Sequence, residues 1–346
     1  MINVLGLIAS PLDPSSRFRI SQYAPLLLKQ DIQLRTRYHY PSKDSSPAPW
    51  AHMVKKLTGI NQWRTWNVLQ DINRLPLIVQ QYNYDLIWQS RMLLPYLLQA
   101  DRVITRPVIF DLDDAIWLTE GKERTGKALT KADMIFVGND YLADWAGRYN
   151  QKLVRIPTTV DTNIFYPIKE KQDQFTIGWI GSPSNFKYLS VIEAPIRTFL
   201  ERHENARFMI ISSEMPAEIK FSNKVVFSKW NPETENEMIN KFSIGIMPLT
   251  DDEWTRGKCG FKLIQYMACG KAVVASPVGV NNKLLEPGTG LSANHEKEWL
   301  EAFESLFNDE KLRLSMGTAG RELVQENYNA EKWSVRIAGF MKEIKQ

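Results

Sequence analysis

The chain has 346 residues, of which 44% are hydrophobic, 24% charged and 11% aromatic, with a formal charge of +4, a balance that excludes a disordered or collagen-like polypeptide. At about 150 residues per domain the length predicts two domains, each able to bury its own core. Only Cys259 and Cys269 are present, and His39, His52, His203 and His295 are scattered; neither a disulfide framework nor a zinc cluster is expected, and a reducing compartment is.

Residues 1–10 run straight from Met1 into an apolar stretch without a basic leader or a small-residue cleavage site, so they read as a first strand rather than a signal peptide. No apolar run reaches about 18 residues, so no transmembrane helix is expected. The expected location is the cytoplasm, or at most the inner face of a membrane. Further strands are predicted at 32–36, 85–89, 108–111, 134–137 and 153–156, with helical patterns at 18–30, 50–81 and 141–149. The second half repeats the alternation. Strands are predicted at 175–180, 207–212, 224–227, 244–247 and 272–275, with helices at 185–202, 233–241 and 261–268. Such alternation predicts an α/β chain of two doubly wound, Rossmann-like domains facing across a cleft. The expected division is 1–166, a polar, proline-led linker at 167–174, a second domain at 175–328, and a closing helix at 329–346.

Positive charge collects in the first half. Up to Tyr166 there are 20 Lys and Arg against 15 Asp and Glu, which suits an anionic ligand or surface. No basic stripe interleaved with aromatics appears, so nucleic acid is not an expected partner. Residues 50–69 combine Trp50, Met53, Val54, Leu57, Ile60 and Trp63 at helical spacing with Lys55, Lys56 and Arg64. This segment either packs on a sheet or rests in a membrane interface.

The most informative stretch is RGKCGFKLIQYMACGKAVVASPVGV, residues 256–280. A loop from Gly257 to Gly260 leads into a helix, where free amides and the helix dipole favour an anion and Gly260 allows close backbone approach. Lys258 and Lys262 add positive charge, and Gln265 shares a helical face with Lys262. A solvated basic turn would read the same way. In the first half Ser15, Ser16, Arg17 and Arg19 follow the first strand; they suit a phosphate or an anionic acceptor, or a helix cap with solvated arginines. Asp111, Asp113 and Asp114 end the strand at 108–111. They could orient a hydroxyl, cap the next helix or gather magnesium.

The 256–280 segment resembles the donor-binding motif of glycosyltransferase family 4 (glycosyl transferases group 1), most closely over MACGKAVVAS at 267–276. FTIGWIGS at 175–182, VRIPTTVDTNIFYP at 154–167 and SIGIMPLTDDEW at 243–254 resemble the family's other signatures, in the same order. The resemblance implies the GT-B fold, acceptor handling in the first domain, nucleotide-sugar binding in the second, and transfer with retention at the anomeric carbon. It also implies that no metal or other cofactor is required and that the nucleoside diphosphate sugar is a co-substrate. Ser182, Lys187, Lys258, Gly260, Phe261, Lys262 and Gln265 fall at the donor-side positions. Asp113, Asp114 and Lys262 are the expected catalytic residues, and Ser16, Arg17 and Arg19 the acceptor or phosphate contacts. The motif's two glutamates are replaced by Gly257 and Gln265: Gln265 can still bond a ribose hydroxyl, Asp251, Asp252 or Glu253 are the candidates to stand in for the carboxylate missing at Gly257, and Ser182 replaces the motif arginine. The expected activity is transfer of a hexose to a hydroxyl acceptor, a glycan or lipid-linked molecule, in bacterial surface polysaccharide or glycolipid synthesis. The alternatives are a non-catalytic partner protein or a sugar-nucleotide epimerase on the same fold.

Overall fold

Each apolar run expected to form a strand does so. In the computed structural model, which describes residues 1–38, 56, 71–72, 75–90, 104–169, 173–216, 223–286 and 288–345, the strands are β1 (Ile2–Ile8), β2 (Ile32–Tyr38), β3 (Leu86–Gln89), β4 (Val108–Leu112), β5 (Met134–Val137) and β6 (Leu153–Arg155). The second set comprises β7 (Phe175–Ile180), β8 (Ala206–Ser212), β9 (Val225–Lys229), β10 (Ile244–Met247), β11 (Ala272–Ala275) and β12 (Gly290–Ser292). β12, three residues led by glycine, carries no sequence signal. The strands form two six-stranded sheets, ordered β2-β1-β3-β4-β5-β6 and β12-β11-β10-β7-β8-β9, with every pairing parallel. Parallel strands covered on both faces read as unbroken apolar runs, and β3, β4, β5, β7, β10 and β11 are buried at every residue.

The helices follow the sequence less closely. The 18–30 pattern breaks into a π-turn (Ser16–Ile20), a 3-10 turn (Ser21–Tyr23) and a short α-helix (Ala24–Leu28). Pro25, lacking an N–H, belongs in the first turn of a helix rather than in the interior of a longer one. The 185–202 helix begins as a 3-10 stretch, Pro183–Ile192, and becomes α-helical at Glu193–Arg202. The others lie at Asp140–Ala146, Glu235–Asn240, Phe261–Ala268 and Ala330–Lys345. Of the 50–81 pattern, residues 50–55, 57–70 and 73–74 lie outside the described residues. No helix among the described residues is long and apolar enough to cross a membrane.

The chain divides into one unit of Met1–Pro157 with Glu331–Gln346 and a second of Thr158–Ala330. The division thus falls earlier than the proline-led stretch at 167–174. Arg321, on the Glu310–Asn327 helix, explains why: its guanidinium donates to the carbonyls of Thr162, Phe165 and Ala268. Asn240 in turn donates to the Tyr166 carbonyl and accepts from the Ile168 amide. These bonds satisfy carbonyls and an amide of a turn and connecting segment outside the sheets, and they tie it to the second unit.

The centre of the second sheet is set by two glycines in register, Gly178 on β7 and Gly245 on β10. An added Cβ at Gly178 would lie 2.0 Å from the Phe242 ring, and one at Gly245 would lie 2.3 Å from the Tyr266 ring. The two rings meet edge to face, 5.8 Å between centroids. Beyond Gly178 no further β7–β10 pair forms, and the Ile180 amide donates to the Tyr266 hydroxyl at 3.0 Å. A methyl group at either glycine forces these rings off the sheet. Gly178→Ala and Gly245→Ala should each cost about 1–3 kcal/mol or more, read as a lowered urea midpoint, whereas Gly339→Ala, where an added Cβ meets nothing within 4 Å, should leave the midpoint unchanged or slightly raised.

Candidate functional site

Ligands of open parallel sheets sit beyond the carboxyl ends of the strands, where the strand order reverses. In the second sheet that point lies between β7 and β10, which Tyr266 holds apart. The β10–β11 connection places a short helix, Glu253–Arg256, and then the Phe261–Ala268 helix there. Gly260 caps the latter with φ +66°, and an added Cβ would lie 2.5 Å from Leu284 Cδ1 and 3.0 Å from Val280 Cγ1. Only glycine takes that conformation without strain in a space so narrow. The helix therefore starts abruptly, at a residue with no side chain of its own to cap it.

Lys262, in the first turn, is half-buried, with its ammonium 5.7 Å from the Trp179 ring centroid. Its Cε passes the turn after β7 so closely that a Cβ on Gly181 would lie 3.0 Å from it. The structure thus brings Lys262 to the β7 turn that carries Ser182. Ser182 shares its hydroxyl with Ser184 and accepts from the Asn185 amide. Lys187 is exposed and lies over the Tyr188 ring, while Lys258 lies over Trp254. Phe261 is half-buried at the helix start. Gln265 points inward, 1% exposed, and donates from Nε2 to Glu235 Oε1 at 3.0 Å. Glu235, itself buried in the first turn of the Glu235–Asn240 helix, was not expected from sequence: its partner lies 30 residues away and no local spacing announces it.

Two of the three carboxylates expected to replace the motif glutamate are occupied locally. Asp251 pairs with Arg256, whose hydrogen bond holds its carboxyl below the usual range. Asp252 caps the Glu253–Arg256 helix in a reciprocal box with Thr255. Burial works to raise the Asp252 carboxyl, yet hydrogen bonds from Thr255 and Thr250 leave it lowered. Glu253 is exposed on that helix.

In the first sheet the order reverses between β1 and β3. The loop after β1 closes on Ser16, fully buried, whose hydroxyl accepts from the amides of Ala9 and Ser10 and donates to Asp13. Arg17 is half-buried with its guanidinium over Phe18. Arg19 is 2% exposed; it donates through Nε to Asp111 Oδ1 at 2.8 Å and through Nη1 to the Ile156 carbonyl at 2.6 Å. Trp88 Nε1 donates to the other Asp111 oxygen. Burial lifts the Asp111 carboxyl to about 6, against the pull of Arg19. The arginine and serine expected to meet a ligand thus hold the loop and the core instead: Arg19 is the counter-ion of Asp111, and Ser16 saturates its own loop. Asp113 is buried and Asp114 half-buried at the carboxyl end of β4, on the same side of the sheet as the β1 loop.

Residues 174–309 match the protein family described as Glycosyl transferases group 1. No curated protein matches the chain. Among solved structures it is similar to a sucrose-phosphate synthase from Thermosynechococcus elongatus, at 14% identity and a TM-score of 0.75 over 99% of each chain. HepE of Anabaena, solved with UDP-glucose, is similar at 12% identity and a TM-score of 0.71, over 99% of this chain and 100% of that one. TarM of S. aureus follows at 9% identity and a TM-score of 0.71, over 100% of this chain and 99% of that one. The chain thus has the GT-B fold, and residues 174–309, within its second unit, match the group 1 glycosyl transferase model that the motifs resemble.

Removing one member of a buried ion pair strands the other, at about 3–5 kcal/mol. Asp111→Asn should lower stability by that order. Arg19→Met combined with Asp111→Leu should recover much of the loss, measured by chemical denaturation of the three proteins side by side.

Proposed function

We propose that this protein is a retaining glycosyltransferase that moves a sugar from a nucleoside diphosphate sugar to a hydroxyl acceptor. The observation that carries the reading is the start of the Phe261–Ala268 helix, with Gly260 and Lys262, at the reversal point of the second sheet. The amides of a helix start, the positive end of its dipole and a lysine beside them suit a diphosphate. HepE, similar in fold, was solved with UDP-glucose.

In the reaction the bond between the sugar's anomeric carbon and the β-phosphate oxygen breaks, and the acceptor oxygen bonds to that carbon on the same face. The acceptor's proton passes to the departing diphosphate. Negative charge accumulates on that diphosphate, and preorganised donors at the place where charge develops lower the barrier more than binding elsewhere does. Lys262 and the amides following Gly260 supply them, with Lys258 and Lys187 as additional positive charge. Phe261 lines the donor side and Ser182 offers its hydroxyl from the β7 turn. Gln265 serves the nucleotide. Asp113 and Asp114, at the end of β4, orient the acceptor hydroxyl, with the half-buried Arg17 as a positive group of the β1 loop. The chemistry is assigned to the substrates and these groups without a metal or other cofactor. A hexose donor, a glycan or lipid-linked acceptor in surface polysaccharide or glycolipid synthesis, and a cytoplasmic site of action complete the reading. Contact with a membrane through 50–69 belongs to it too, though that segment, Lys56 apart, lies outside the described residues.

The replacement of both motif glutamates, by Gly257 and Gln265, also supports a second reading, a protein that binds nucleotide without turnover. One experiment separates the two. The protein is screened with UDP, GDP and ADP and with their glucose conjugates, following Tm and then release of free diphosphate with acceptor glycans present. A ligand at a hundred times its Kd adds about 2.7 kcal/mol of stability, so one diphosphate should raise Tm by several degrees. Lys262→Ala should fold normally and lose at least about tenfold in affinity and turnover. Unchanged turnover in Lys262→Ala would overturn the phosphate assignment, and binding without release would favour the second reading.

A further inference from the structure

The hydrogen bond between Gln265 and Glu235 joins two side chains that are 1% and 4% exposed, one from each of two helices in the second unit. A leucine or methionine pair would fill the same space without placing a carboxylate in the interior, where its removal from water is costly. The bond has a definite chemical consequence. A side-chain amide has one donor end and one acceptor end, whereas a carboxylate only accepts. Facing Glu235, Gln265 must turn its NH2 group to the carboxylate and its Oε1 away from it.

Gln265 lies three residues beyond Lys262 on the same helix, and therefore on the same face, about 5 Å further along the axis. In a nucleoside diphosphate the ribose follows the α-phosphate at a comparable separation. The ribose presents vicinal hydroxyls, each a donor in need of an acceptor. We propose that Glu235 is a positioning residue for ribose recognition: its carboxylate fixes the Gln265 amide so that Oε1 accepts from a ribose hydroxyl of the bound nucleotide. The inference rests on the nucleotide-sugar reading above. It makes the carboxylate on one helix and the amide on the other a single unit in which the two groups are exchangeable. A glutamate at 265 would accept from the ribose directly, and a glutamine at 235 would then donate to it.

The test uses the full-length protein and the nucleoside diphosphate that raises Tm most, together with its 2′-deoxy and 2′,3′-dideoxy forms, with Kd measured by calorimetry. The wild type should prefer the ribonucleotide by about tenfold, the worth of one well-placed hydrogen bond. E235Q frees the amide at 265 to flip, and its preference should fall to within about threefold while diphosphate-dependent binding persists. Q265E should bind poorly, because two carboxylates then face each other. The exchange E235Q/Q265E should restore the preference. If E235Q does not fold, judged by Tm without nucleotide, Gln265→Leu must lose the preference in its place. A folded E235Q that discriminates as the wild type does, or an exchange variant that fails to recover, overturns the proposal. A wild type that binds ribose and deoxyribose forms equally overturns it and leaves the nucleotide reading standing; a wild type that binds no nucleoside diphosphate removes both.

Discussion

The second unit is organised around the parting of β7 and β10. These strands pair at Ile177 with Ile244 and at Gly178 with Gly245, and at no residue beyond. What parts them is aromatic volume. Phe242 and Tyr266 occupy the space where two side chains would stand if positions 178 and 245 were anything larger than glycine. A parallel sheet whose central strands diverge leaves unsatisfied amides at the split, and burial makes each of them costly. The Tyr266 hydroxyl takes the one from Ile180. Burial pushes that phenol's ionisation up, so it remains a neutral partner at any ordinary pH. Because Tyr266 belongs to the Phe261–Ala268 helix, the residue that closes the split also fixes where the helix starts. Gly260 and Lys262 stand where they do because Tyr266 is anchored one turn and a half further on.

Charge is handled differently in the two units. In the first, a full guanidinium answers the buried carboxylate: Asp111 receives Arg19 and the Trp88 indole, and Arg19 also reaches the Ile156 carbonyl. That arrangement neutralises Asp111 and pins the loop after β1 to β4 and to the end of β6. In the second, Glu235 is met by a neutral amide. An ion pair fixes geometry; a carboxylate beside an amide fixes which end of the amide points outward. The first serves the fold and the second has an orientation to impart.

Strands were legible in the sequence because burial on both faces writes an apolar run, and only β12 escaped, being three residues with a glycine at its head. Helices were less so. Glu310–Asn327 contains Gly317 and Gly320, which weaken a helical pattern, yet an added Cβ at Gly317 would lie 2.2 Å from the Gly270 carbonyl. The glycine is there for a close approach that only the folded chain reveals. The turn into the Phe261–Ala268 helix was legible as a glycine-lysine pattern, and Lys262 lies in that helix's first turn. Arg19 and Ser16 were misjudged because an exposed arginine and a buried one look alike in sequence. Sheet order alone puts Arg19 beneath the loop and within reach of Asp111, 92 residues away.

The two glutamate replacements have distinct physical meanings. Gly257 ends the Glu253–Arg256 helix, whose Asp252 and Thr255 box and Asp251–Arg256 pair make the loop self-sufficient. No carboxylate stands at that position, and of the neighbouring acids Asp251 and Asp252 are bound to their own loop. At 265 a neutral amide takes the motif position, and the buried carboxylate it meets is that of Glu235, on another helix. A neutral side chain there opposes a diphosphate at the helix start less strongly than a carboxylate would. A loop that retains two lysines, and carries no acid at 257 or 265, is in electrostatic terms a stronger anion site than one with a glutamate at each of those positions.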